Sequence, residues 1–503
     1  MLPATAAMLA SAFVATAAVA QTTIPATETN ASSATPTAVW RFDEFAKQLK
    51  NPTVALSWGG DFRVRDEYFN NAMSLSSDPH FSPLFGTGHE QEYFRFRGRV
   101  WASFFPTNAV TLNLRLAAEP REFLKPAFSD TFFNSTGMQW RYGIVDNFNL
   151  QWKKPFDLPA TVTVGRQDIF LGDGWLVGDG TPEDGSFTYF LDSLRLTCKL
   201  DEIHTTIDAI GILQYARPDA WMPTFGPSGT VPGQPAGLLL TDQDEKGAIL
   251  WIANKSVPEA NVDGYFIYKH DTRLNNPPPA DFGDNADIYT FGGRISGLAL
   301  NHWKYSAEGA YQFGRKQEQD EFLTTYDTSI FHEIRAGAVN SKLTYLFKDD
   351  WNDQLSLSYE FLSGDNPHTG TDEMFDVLWG RWPRWSEMYN IYSYVPETRV
   401  GQTANLHRIG PTWNVTPAKN LDFSLSYYVL LADEDTPTRT LVFTQQSFTD
   451  HGSLRGNYLQ AILKYKFNQY VSAHLWSEFL WEGNYYSKQQ MMDFLRAEVM
   501  FTF

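Results

Sequence analysis

The sequence predicts an all-β fold, a closed antiparallel transmembrane β-barrel of about 18 strands with short turns at one end and long loops at the other. Three observations predict it. From Leu56 onward the hydrophobic pattern repeats at every second residue. Long and short connections alternate along the whole chain. Beyond residue 20 there is no run of about 18 apolar residues, so a bilayer-crossing helix is not expected.

The chain has 503 residues, a formal charge of -18 and one cysteine. Its 38 Phe, 23 Tyr and 16 Trp exclude a disordered protein. The lone Cys198 excludes a disulfide scaffold. The acidic balance excludes a strongly basic nucleic-acid binder, so no nucleic-acid partner is expected.

Three regions follow in order. Residues 1–20 are almost all small or apolar and end in Ala18-Val19-Ala20, the pattern of a secretory signal peptide with Gln21 as the first mature residue. No Lys or Arg precedes the apolar stretch, so a start a few residues upstream is expected. Residues 21–52 read as a flexible Thr/Ala/Ser/Pro leader, with a short helix over 39–49 stopped by Asn51-Pro52. Residues 53–503 form the barrel.

The clearest strand runs from Glu92 to Phe104. Phe94, Phe96, Val100 and Phe104 share one face, and Arg95, Arg97 and Arg99 the other. The same two-faced pattern recurs in segments near 56–69, 108–121, 353–363, 420–431 and 493–503. Turns such as Pro106-Thr107, Asp201-Glu202 and Asn468 are tight, whereas gaps such as 216–245 and 364–401 are long. In an outer-membrane barrel, alternate connections face the periplasm as tight turns and the others grow outside. Backbone groups in hydrocarbon must pair with one another, so the sheet has to close. A lipid-facing Arg near the midplane costs about 2–4 kcal/mol. The apolar face is therefore expected on the lipid and the Arg face on the lumen.

Strand parity places Arg63, Arg65, Arg95, Arg97, Arg99 and Arg115 on the lumen side, with Arg141 and Arg195. It does the same for Arg294, Arg335, Arg408 and Arg496, and for the acids Glu119, Glu333 and Glu360. Such a lining favours anions. The plainer reading is that these Arg pair with wall carboxylates and hold the sheet together. Neutralising Arg95, Arg97 and Arg99 is the expected test. The longest connection holds Trp379, Arg381, Trp382, Arg384 and Trp385. Three roles stay open for it: binding an acidic glycan, constricting the lumen, or packing on the rim.

No catalytic residues are expected. The ten His show no H-x-x-x-H pairing, and no G-x-S-x-G occurs. No metal site or cofactor is expected either. Asp173, Asp179, Glu183 and Asp184 lie in a Gly-rich stretch without EF-hand spacing and read as a solvated loop.

Three motifs resemble a known family. Val164-Gly165-Arg166-Gln167-Asp168, Leu171-Gly172-Asp173-Gly174-Trp175 and Tyr189-Phe190-Leu191-Asp192-Ser193 look like the central signature of the alginate-export family of outer-membrane porins. Asp61-Phe62-Arg63-Val64-Arg65 and Tyr93-Phe94-Arg95-Phe96-Arg97 are similar to the family's start. The usual phenylalanine-aspartate-glycine reads Leu191-Asp192-Ser193 here, which marks a divergent member. The resemblance implies an 18-stranded barrel with an Arg-lined lumen passing an anionic uronic-acid polymer. The expected partners are then an anionic solute or polysaccharide, outer-membrane lipid, and a periplasmic export or uptake partner. A general nutrient porin, a plugged carbohydrate-binding barrel and an outer-membrane hydrolase are the alternatives.

Overall fold

The computed structural model of the chain describes residues 42–71, 90–125, 138–139, 143–178, 190–217, 220–225, 241, 243–274, 285–317, 330–366, 368–380, 384–388, 404–435, 449, 451–487 and 489–503. Among them, eighteen antiparallel strands form one closed wall. The first six are β1 (Leu56–Asn70), β2 (Glu90–Phe104), β3 (Val110–Ala118), β4 (Ile144–Lys153), β5 (Ala160–Gln167) and β6 (Leu191–Leu200). The next six are β7 (Thr205–Gln214), β8 (Gln243–Asn254), β9 (Ala260–Arg273), β10 (Ala286–Ala299), β11 (Trp303–Gln317) and β12 (Phe331–Leu346). The last six are β13 (Gln354–Leu362), β14 (Leu406–Ala418), β15 (Leu421–Leu431), β16 (Leu454–Lys466), β17 (Val471–Glu482) and β18 (Met491–Thr502). β3 resumes beyond Glu119-Pro120 as Arg121–Lys125, which pairs with Met138–Gln139 ahead of β4.

Closure is direct. β18 returns to β1, with Asp61 opposite Thr502 and Asn70 opposite Asp493. Among the described residues, no wall strand is left with an edge to open into hydrocarbon. The short turns concentrate backbone that only tight reversals need. Lys154, His204, Asn301 and Asn420 all take positive φ there.

The wall's two faces are as the sequence predicts. Phe62 is 51% exposed, while Arg63 beside it is 0% exposed. On β13 Leu355 and Leu357 point outward, and Ser356 and Ser358 are buried inward. The outer face carries packed rings, with Phe266–Phe291 centroids 4.9 Å apart and Tyr289–Phe313 5.3 Å apart. Lipid buries this surface at about 25 cal/mol per Å². A helix, α1 (Phe42–Lys50), precedes the barrel, and the Trp58 indole N–H of β1 donates to its Leu49 carbonyl.

Two of the long connections turn into the lumen rather than outward. In the β5–β6 connection, Leu171, Leu176 and Val177 pack against inward wall residues such as Ile210, Ile249 and Trp251. In the β13–β14 connection, Phe375, Leu378 and Trp379 join the same cluster. The two segments meet at a parallel bridge between Val177 and Trp379. Trp379 N–H donates to Leu176 O at 3.0 Å, and Gly178 N–H donates to Trp379 O at 3.2 Å. Gly380 sits where they cross, and a Cβ there would stand 1.7 Å from the Trp175 carbonyl oxygen.

The insertion corrects one expectation. Glu333 and Arg335 point outward on β12, 71% and 62% exposed, and pair with each other at 2.9 Å. Their neighbours Ile334, Ala336 and Ala338 are the inward residues. These are apolar because they face the inserted loops instead of lipid, which reverses the parity reading of this strand's loop end. An outward charge costs little where a barrel wall stands above the hydrocarbon.

Candidate functional site: the lumen

The lumen has two chemically different sides. On β18 and β1–β3, the arginines expected to face inward do so, and each meets a carboxylate. Arg63 donates to Glu119 at 2.9 Å. Arg95 bridges Glu119 at 2.9 Å and Glu67 at 2.7 Å. Arg496 reaches Glu67 through Nε at 2.7 Å. Arg65 pairs with Glu498. Arg97 and Arg99 share Asp61, at 3.4 and 2.7 Å. The stripe continues around the wall. Arg115 joins Asp146 at 2.8 Å and Asp168 at 2.7 Å. Arg166 joins Asp192 at 2.9 Å, and Arg195 joins Asp208 at 2.8 Å. Arg63, Arg65 and Glu67 are fully buried. This side is a braced wall of alternating charge.

Sequence reasoning missed much of the acid. Asp61 and Glu67 share the odd-numbered face of Arg63 and Arg65, so parity alone reveals them. Asp146 does not follow simple parity, because the β3–β4 register shifts between Arg115 and Leu116. Arg166 was legible only as part of a motif. Arg141 lies outside the described residues.

The other side is open. A cavity of about 930 Å³ lies toward the turn end of β10–β16, beneath the inserted loops. Its wall is hydroxyl- and amide-rich, with Ser306, Asn340, Thr344, Ser356 and Thr412. Its basic groups are Arg294, Lys304, Lys342, Arg384 and Arg408, against the acids Asp173 and Glu360. Arg294 holds Asp173 of the inserted segment at 2.6 Å, so Asp173, still half-exposed, lines the cavity, while Asp179, Glu183 and Asp184 lie outside the described residues. Arg408 pairs with Glu360 at 3.1 Å, and the Trp175 indole N–H donates to the same Glu360 at 3.0 Å.

The Trp/Arg stretch of the β13–β14 connection divides. The Trp379 indole is 3% exposed and donates to Glu245 at 3.0 Å, so it packs inside the lumen. Arg384 stacks over Phe170 at 4.3 Å, and Trp385 sits edge-on to Tyr458 at 5.2 Å beside Arg408. Arg381 and Trp382 lie outside the described residues. The segment is then clamped to the wall. Ser386 Oγ and the Glu387 and Met388 N–H groups all donate to the buried Glu478, at 2.7, 2.9 and 2.9 Å. The Glu387 carboxylate accepts from Arg496 at 2.8 Å. The described part of this stretch packs against the inner wall and the other inserted segment. Among the described residues, no group of three His, Cys, Asp or Glu side chains is placed to hold a metal ion.

Comparison with known proteins adds the family. The alginate export family model matches residues 241–499, from just before β8 into β18. The motifs near residues 61–97 and 164–193 precede that match. Among solved structures, the chain is similar to OccAB1 of Acinetobacter baumannii, at 9% identity over 89% of this chain and 96% of that one, with a TM-score of 0.52. It is also similar to OccK8 (OprE) of Pseudomonas aeruginosa, at 12% identity over 89% and 98%, with a TM-score of 0.49. No curated protein matches the chain.

Proposed function

The chain belongs to the alginate export family, and from that premise we propose that this outer-membrane porin passes anionic solutes by passive diffusion, acidic oligo- and polysaccharides such as alginate among them. The observation that carries the reading is the turn-end cavity, where five basic side chains face two acids within a hydroxyl-lined wall. A low-dielectric barrel wall focuses that excess charge on the passage and raises the local anion concentration. Guanidinium and ammonium groups pair with carboxylates, while Ser, Thr and Asn side chains exchange hydrogen bonds with sugar hydroxyls.

A second reading has its own observation. The crossing of the two inserted segments at Val177 and Trp379 fills part of the lumen with apolar side chains, which suits a plugged carbohydrate-binding barrel. Planar-bilayer recording separates the two. A conducting pore whose reversal potential in a salt gradient reports anion preference, and whose current is blocked by a uronic-acid oligomer, supports the porin. Binding of that oligomer without conductance supports the plugged barrel, and cation preference rejects the anion reading.

A further inference from the structure

The two sides of the lumen differ in whether their positive charge is spent. On the β18–β1–β2–β3 side, each guanidinium expected to select anions already meets a wall carboxylate. In the cavity, Arg294 and Arg408 are paired in the same way. Lys304 and Lys342 are not. Both line the cavity, and among the described residues neither forms an ion pair or a side-chain hydrogen bond. They sit on neighbouring strands of one register. Lys304 is opposite Thr344 and Lys342 opposite Ser306, so the two lysines are diagonal neighbours across the strand pair, and both line the cavity. Like charges on diagonal positions of one face repel, and a bound anion relieves the repulsion. The side chains around them are Ser306, Asn340, Thr344 and Ser356, which both donate and accept hydrogen bonds.

We propose that Lys304 and Lys342 form the anion-recruiting site of the passage, built for a polyhydroxylated acid of the sugar-acid class. The arginine stripe is then a wall brace rather than the selectivity element. An ammonium group is a compact point charge with three rotatable donors. It holds a carboxylate without fixing its plane, as a diffusing solute requires. The solute path accordingly follows the β10–β15 side of the lumen. The inference rests on the porin reading above.

The test compares full-length wild type, Lys304→Gln/Lys342→Gln, Lys304→Arg/Lys342→Arg and Arg97→Gln in planar bilayers. The readouts are reversal potential in a potassium chloride gradient and block of single-channel current by sodium glucuronate. A unit charge about 6 Å away in water alters anion occupancy about threefold. The double Gln variant should therefore need about tenfold more glucuronate for half-block and lose most of its anion preference. The double Arg variant should keep both, and Arg97→Gln should stay within about twofold of wild type. A double Gln variant that keeps wild-type block and selectivity overturns the lysine assignment, as does an Arg97→Gln loss of equal size. Either result leaves the porin reading standing if the wild type prefers anions. A wild type without conductance or anion preference overturns both. Heat-dependent gel mobility verifies that each variant forms the barrel.

Discussion

Replacing Glu67 by Gln is the sharpest test of the braced wall. Glu67 is fully buried, and three guanidinium groups converge on it. Arg95 Nη1 stands at 2.7 Å, Arg496 Nη2 at 2.6 Å and Arg65 Nη1 at 3.6 Å. Removing one partner of a buried pair typically costs about 3–5 kcal/mol, because the remaining charge is left uncompensated. Here each arginine keeps a second acid: Arg95 keeps Glu119, Arg496 keeps Glu387 and Arg65 keeps Glu498. The loss should therefore fall at the lower end, about 3 kcal/mol. With a urea slope of about 3 kcal/mol per M, the midpoint drops by about 1 M. The assay is urea unfolding of the vesicle-inserted barrel, followed by tryptophan fluorescence. If Glu67→Gln unfolds at the wild-type midpoint, the stripe is solvated and the brace argument is wrong.

Three further outcomes are expected. Leu357→Arg puts a charge on the lipid face of β13, where Leu357 is 55% exposed, and should cost about 2–4 kcal/mol if it lies near the midplane. Its yield of heat-modifiable barrel should fall sharply, and a normal yield would contradict the lipid-facing assignment. Glu387→Gln cuts the link from the inserted segment to Arg496, so single-channel recordings should show larger or noisier openings, and unchanged traces would mean the Glu478 contacts suffice alone. Glu373 gives the pH dependence. Burial opposes its ionisation, but donation from the Thr371 and Thr369 hydroxyls holds its carboxyl below the usual range. A carboxylate depressed in the folded state contributes fully above its unfolded pKa of about 4.3, and that contribution is lost as pH falls through the lower folded value. Current noise should stay flat from about pH 7 to 5 and rise only below about pH 4; a rise beginning near pH 6 would assign the effect to another group.

The wall was legible because bilayer and lumen impose opposite demands on adjacent residues. Phe62 and Arg63 could not exchange places. The long–short rhythm of connections likewise gave the strand order, since only one end of such a barrel tolerates growth. What the chain concealed lies where a loop stops behaving as a loop. Leu171, Val177 and Phe375 carry no periodicity, and nothing local says that they bury against Ile249 and Trp251. That burial is also why Ile334 and Ala336 face inward and Arg335 does not. The charge pattern was only half legible for a related reason. Arginines are conspicuous in a strand, but their effect depends on acids brought beside them from distant strands, such as Glu119 beside Arg63. The unspent charge of Lys304 and Lys342 appears only once those pairings are known.

The β1–β18 seam carries a burden in folding. Arg65 and Glu498 meet across 433 positions of sequence. Contacts of such separation are slow to form, since a long loop must be ordered before they reward it. Until they form, both flanking strands present raw edges that can recruit any other extended chain. The ion pairs along that seam therefore act as a zipper pull: complementary charges that select the correct partner edge and make a mispaired or half-finished cylinder easy to distinguish from a sealed one.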